Sequence, residues 1–134
     1  MTEEHAKLLL KDLSARLPYG VKLQILSWDD VNMEYIDKAD ALYSINSDNH
    51  VRTSTEDQDF YIDEVKPYLF PMSSMTEEQE NEYVATFVTI VYEDGSRDNT
   101  MTCESFDWLN KHMFDYRGLI PLGLAKDATG LGIY

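Results

Sequence analysis

The stretch VKPYLFPMSSMTEEQENEY, Val65 to Tyr83, decides how this chain folds. An apolar run is bounded by Pro67 and Pro71, a Ser-Ser-Met spacer follows, and the acids Glu77, Glu78, Glu80 and Glu82 come with no base among them. Proline withholds a backbone donor and restricts the residue before it, so FYIDEVKPYLF (60–70) is confined to a short helical turn or an extended crossing. Phe60, Ile62, Val65 and Leu69 are the residues of that segment that can close one edge of a core. Thr76 has the chemistry of a helix N-cap, with Gln79 at the capping-box position and Glu77 and Glu78 at the positive end of the helix dipole. The stretch therefore reads as a joint between two structural layers rather than as a catalytic loop.

Working outward, Tyr83, Phe87, Ile90 and Val91 keep helical spacing, while Val84, Thr86, Val88, Thr89 and Ile90 are β-branched. A helix carried on through this segment is the preferred expectation, and a hairpin turning at EDGS (93–96) is the alternative. Thr102 or Glu104 then starts another helix bearing Phe106, Trp108, Leu109 and Met113, and FDYRGLIPLGLAKDATGLGIY closes the chain in turns and short helical pieces. On the other side, Thr2 caps a first helix with Glu3 and Glu4 in its first turn and an apolar stripe of Ala6, Leu9, Leu10, Leu13 and Leu17. Pro18 stops it, Tyr19-Gly20 turns the chain, and VKLQILSW alternates as a half-buried strand. DALYSINSDNHVRTST reads as two short strands about an Asn/Asp-rich turn. The expectation is a single α+β domain spanning residues 1–134, with a small antiparallel sheet packed against an N-terminal helix and two later helices.

The chain has 134 residues, 43% hydrophobic and 12% aromatic, which is enough to bury one core. The single cysteine, Cys103, excludes an intrachain disulfide and leaves a cysteine-based zinc site without partners. The N-terminus lacks the pattern of a secretory signal, and no apolar run approaches the about 20 residues that span a bilayer. A soluble, cytoplasmic protein without membrane association is expected. Acidic residues outnumber basic ones 25 to 11, for a net charge of −14. Such a surface disfavours direct contact with nucleic acid phosphates or anionic lipid. Acidity is concentrated in the middle: residues 29–64 hold eleven acids and two bases, whereas residues 1–28 and 99–134 are nearly neutral.

Three blocks, LPYGVK (17–22), KPYLFPMSSMTEE (66–78) and DWLNKHMFDYRGLI (107–120), together resemble a family of small uncharacterised proteins of gut Bacteroidales genomes, their phages and mobile elements. The resemblance covers most of the chain and implies no reaction, cofactor or catalytic residue. This sequence departs from the family pattern at Phe70, where arginine is expected, and at Met113, where a second histidine is expected. The second departure weakens the idea of a His-His pair as a metal site.

His5, His50 and His112 fall on an N-terminal helix, a turn and a late helix, and would have to converge to bind metal or move protons. For His112, near a helix C-terminus, a favourable interaction of the protonated ring with the dipole is the simpler expectation. Cys103 has only Glu104 and Asp107 nearby, and these acids do not make the electropositive niche that a reactive thiolate needs. Asp29, Asp30, Glu34, Asp57 and Asp59 supply oxygens for a divalent ion, yet lack the alternating spacing, central glycine and terminal glutamate of an EF-hand loop. A solvated acidic face or a partner-binding face fits them better. Asp115, Tyr116 and Arg117 form either a structural corner before Gly118 or a recognition site, and the corner is preferred.

These features point to a non-enzymatic accessory or protein-interaction module with no cofactor and a basic protein as partner. Two alternatives stand beside it. One is an inhibitor that mimics nucleic acid charge to block a DNA-binding or defence protein. The other is a metal-dependent hydrolase built from the acids and histidines.

Overall fold

The computed structural model describes residues 1–134, and its elements follow from local chemistry. Helix α1, Glu3–Arg16, begins where the Thr2 hydroxyl accepts the His5 N–H, and ends as Leu17-Pro18-Tyr19 tightens into a single 3-10 turn. Gly20, at φ 73°, then reverses the chain in a left-handed conformation that a side chain would strain. Strand β1, Lys22–Asp29, and strand β2, Glu34–Ile45, form a long antiparallel hairpin with eight opposed pairs from Lys22↔Ala41 to Asp29↔Glu34. Strands β3, His50–Thr53, and β4, Asp59–Tyr61, continue the sheet beyond β2, with an irregularity at Tyr43 where the register shifts.

The run between the two prolines becomes strand β5, Lys66–Pro71, which adds to the free edge of β1. Its prolines are tolerated because the strand changes partner along its length. Pro67 and Lys66 face β1, whereas Tyr68 to Pro71 pair in parallel with two short C-terminal strands. The donors that matter there belong to other residues: Phe70 N–H reaches Met113 O at 2.8 Å, and Ala128 N–H reaches Leu69 O at 2.8 Å. Of the two conformations open to 60–70, the extended one is therefore adopted, after a single 3-10 turn at Ile62–Glu64.

Helix α2, Glu77–Val84, starts with the expected reciprocal cap: the Thr76 hydroxyl accepts Gln79 N–H at 3.1 Å while Gln79 returns to Thr76 N–H at 2.9 Å. The preferred expectation of a helix continuing to Val91 is corrected. The helix stops at Val84, and strands β6, Val88–Val91, and β7, Arg97–Thr100, form a separate two-stranded ribbon about the EDGS turn. The β-branched run decides the matter, since the residues after Phe87 have little helix to gain and no core to face. Gly95 at φ 85° and the Asp94 carboxylate, which accepts the Ser96 N–H and hydroxyl, fix the turn. Helix α3, Cys103–Lys111, opens on Thr102 with its own capping box, and strands β8, Phe114–Asp115, and β9, Lys126–Asp127, complete β5. Those two strands lie in the tail that the sequence suggested to be turns and short helical pieces.

The result is an α+β fold: an N-terminal helix, two later helices and a mostly antiparallel sheet in the order β4-β3-β2-β1-β5-β8, with β9 also on β5. Leu9 and Leu13 of α1 meet Val21, Leu23, Ile25, Leu42, Val51, Phe60, Val65 and Leu69 in one core, which Leu119 and Leu124 close from the tail. No helix is long and apolar enough to cross a membrane. Helix α2 packs on α3 rather than on the core, and Tyr83 stacks on Trp108 at 5.6 Å, which in turn stacks on buried Phe114 at 5.6 Å.

Candidate functional site

Beneath the C-terminal corner lies a buried ionic cluster. On α1, Asp12 and Arg16 are both fully buried, and the Arg16 Nε donates to Asp12 Oδ2 at 2.9 Å. Arg117 donates to the other carboxylate oxygen at 2.9 Å, so it pairs with Asp12 and not with its neighbour Asp115. The remaining Arg16 nitrogens donate to Leu109 O and Phe114 O at 3.4 and 2.6 Å. Asp115 accepts the N–H groups of Leu119 and Ile120, while Tyr116 gives its hydroxyl to Asn110 and its ring to both guanidiniums. Each polar group has a partner within the protein, as burial requires. The hydrogen bonds that Asp115, Tyr116 and Arg117 make are thus to groups within the protein, as a structural corner requires.

The sequence signal for this cluster is the spacing Leu9, Asp12, Leu13, Arg16, which places the charged pair on the same helical face as the two leucines. An ion pair at that spacing is common on exposed faces, and its burial depends on Arg117 arriving from the far end of the chain.

The acidic residues separate into two groups. Asp29, Asp30 and Glu34 sit at the tip of the β1–β2 hairpin, where every side chain from Asp30 to Asp37 is exposed. Asp29 closes the tip, accepting Val31 N–H at 3.0 Å and the Asn32 amide at 2.8 Å, and Met33 takes a positive φ of 54°. The Asn32 amide, with the Val31 N–H, holds the Asp29 carboxyl below the usual carboxylate range. Asp30, Glu34 and Asp37 enter none of the ion pairs in the protein, so their charge is free. Asp57 lies in the connection from β3 to β4, next to Glu56, which accepts the Ser27 hydroxyl at 2.8 Å and Lys38 at 3.3 Å and so ties that connection to the hairpin. Asp59 is different, because Arg52 opposite it on β3 pairs with it at 3.0 Å.

The tip also carries apolar surface that the acidic composition masks. Leu26, Trp28 and Tyr35 share one face of the hairpin by register, and Trp28 meets Tyr35 edge to face with centroids 5.0 Å apart. Val31 and Met33 are among the most exposed apolar residues of the chain, at 89% and 70%. At the foot of the hairpin a cleft of about 380 Å³ is lined by Leu26, Tyr35 and Phe60 and rimmed by Gln58, Asp59 and Glu64. From Leu23 to Asp37 there is no lysine or arginine. The arrangement can hold an aliphatic stem against aromatic rings and meet its cationic end with carboxylates.

No group of three or more His, Cys, Asp or Glu side chains is placed to hold a metal ion. His5, His50 and His112 stay apart: His50 packs on Tyr61 with centroids 4.4 Å apart, and His112 on Trp108 at 4.3 Å. His112 caps the end of α3, but its burial pushes the imidazole pKa down, against the pull of Glu82. Cys103 is exposed at the first turn of α3. Comparison with protein-family models, with curated proteins and with solved structures finds no match to this chain.

Proposed function

We propose that this protein is a non-enzymatic, cytoplasmic interaction module that binds a basic protein through the β1–β2 hairpin tip and the cleft at its foot. One observation carries this: exposed Leu26, Trp28, Val31, Met33 and Tyr35 are interleaved with the unpaired carboxylates of Asp30, Glu34 and Asp37 on an element that leaves the core behind. Aromatics left in water gain nothing from burial in the fold and mark a surface that a partner can cover, and a rim of one charge sign selects and steers that partner. Aromatic anchors supply the affinity, while the acids set the approach and the choice of partner. Asp59, already neutralised by Arg52, contributes less than Asp29, Asp30 and Glu34.

The test is capture from an extract of the source cells at low and moderate salt, with wild type beside Asp30→Lys/Glu34→Lys and Trp28→Ser/Tyr35→Ser. A basic protein held by wild type, released by salt and lost in both double variants is expected. Equal capture by the variants, each shown to be folded by its thermal transition, sinks the proposal.

A further inference from the structure

A second surface, remote in sequence from the hairpin, has a different character. Between the 3-10 turn Met72–Ser74 and α2 runs a groove of about 440 Å³ lined by Met72, Met75, Tyr83, Val84 and Phe87, with Glu80 at its edge. The element that forms its wall is only half covered: no residue of α2 is fully buried, and Gln79 and Tyr83 alone are half-buried, although a helix in a folded domain ordinarily hides one face. Its capping box nevertheless holds it in place, and the Tyr83–Trp108 stack fixes its direction. The groove is therefore a formed concavity with an apolar floor, not a frayed segment.

Charge argues for what covers it. Glu77, Glu80 and Val84 fall on one row of α2 by helical spacing, and Glu78 and Glu82 flank them. None of these glutamates enters an ion pair. A second copy of this chain would bring another −14 charge to an acidic rim. A segment that is apolar at its centre and basic at its ends meets both properties at once. Methionine side chains suit such a floor, being flexible and polarisable enough to fit anchors of different shape.

We infer that the Met72–Phe87 groove is a peptide-binding site that takes a large apolar side chain from a lysine- or arginine-flanked segment of a partner protein, with Glu77 and Glu80 engaging the flanking cations. It is a site separate from the hairpin tip and does not depend on it. The six methionines allow a direct test on the intact protein, because Met72 and Met75 lie in the groove, Met33 on the hairpin tip and Met113 in the core. With methionine methyl groups labelled for NMR, a short synthetic peptide carrying a central Leu-Leu pair between lysines is titrated in. A second peptide with Ser-Ser in place of the leucines serves as control.

Saturable shifts of Met72 and Met75 are expected with the leucine peptide, at an affinity roughly tenfold or more above the serine peptide. Val84→Lys, at an exposed position whose change leaves the core intact, should remove those shifts while Met113 keeps its wild-type position. Shifts confined to Met33 would overturn this site while leaving the hairpin proposal standing. Identical responses to the two peptides, or shifts of Met72 and Met75 that follow protein concentration alone, would also overturn it, the last by making a second copy the occupant.

Discussion

The chain consists of two regions held together by different means. All 27 buried residues lie either at or before Leu69 or at and after Ser105. The intervening segment, with α2 and the β6–β7 ribbon, has well-formed hydrogen bonding and contributes none of them. Within the body, burial of apolar surface is the driving term, and even its charged residues are drawn inside. In the annex, order comes from local devices: the Thr76–Gln79 cap, the Asp94 turn, and the hydroxyls of Thr86, Thr102 and Ser105 that bind α2's end to α3. A two-stranded ribbon alone is marginal in water, so the annex depends on what it leans on. The contrast teaches that well-defined secondary structure and contribution to the core are separate properties, and that surfaces free to bind arise where they part.

The contrast is probed most strongly at Arg16. Arg16→Ala should lower stability by about 3–5 kcal/mol, since it strips a buried carboxylate of one partner and frees two carbonyls; urea unfolding measures it. A loss within about 0.5 kcal/mol, the range of ordinary surface substitutions, would show that the body does not rely on this cluster.

Next, Leu13→Ala should cost about 2–5 kcal/mol, whereas Ile90→Ala on the ribbon should stay within about 0.5 kcal/mol. Equal losses from thermal unfolding of the two would erase the boundary between body and annex.

A smaller effect is expected at Asp40, buried on β2. Burial works against its charge, but the hydroxyl and N–H of Thr55, with Lys38, more than offset it and hold its pKa below the ordinary 3.8. The folded value lies below the unfolded one, so this stabilisation is complete above about pH 4 and is lost as pH falls through the lowered folded pKa. Asp40→Asn should cost about 1–3 kcal/mol at neutral pH, and its unfolding midpoint should approach that of wild type on acidification below pH 3.8. A constant gap across pH would remove the carboxylate from the explanation.

The smallest change concerns the annex itself. Thr76→Ala should weaken α2 by about 0.5–2 kcal/mol, seen as faster amide hydrogen exchange at Gln79 and its neighbours with an unchanged global midpoint. A matching fall in the global midpoint would make the annex part of one cooperative unit.

The body was largely legible from sequence because its signals are local. The cap at Thr2, the turn at Gly20 and the apolar stripe through Leu9 and Leu13 each announce themselves within a few residues, as do the caps at Thr76 and Thr102 in the annex. The misjudged parts depend on distant residues. Whether Val88 to Val91 turns in a helix or pairs in a ribbon rests on the absence of a core beside it, which no local pattern records. The burial of Asp12 and Arg16 waits on Arg117, and the pairing of Phe114 and Lys126 with β5 waits on a strand far upstream. At the hairpin tip the acids were visible, but the first strand legible after VKLQILSW begins only at Asp40, so the aromatic face that Trp28 shares with Tyr35 was missed.

The cluster under the C-terminal corner also sets an order of manufacture. A ribosome delivers α1, with Asp12 and Arg16 already on the face that must be hidden, well before the groups that satisfy them, Leu109 O, Phe114 O and Arg117, which follow 93 to 105 residues later. Over the same interval β5 has been made but lacks β8 and β9, so the nascent chain presents an unpaired strand edge beside an unneutralised charge. The pairing of the body is complete only once residues through Asp127 have been made, and the acidic middle of the chain, by repelling other copies, works against that waiting edge finding the wrong strand.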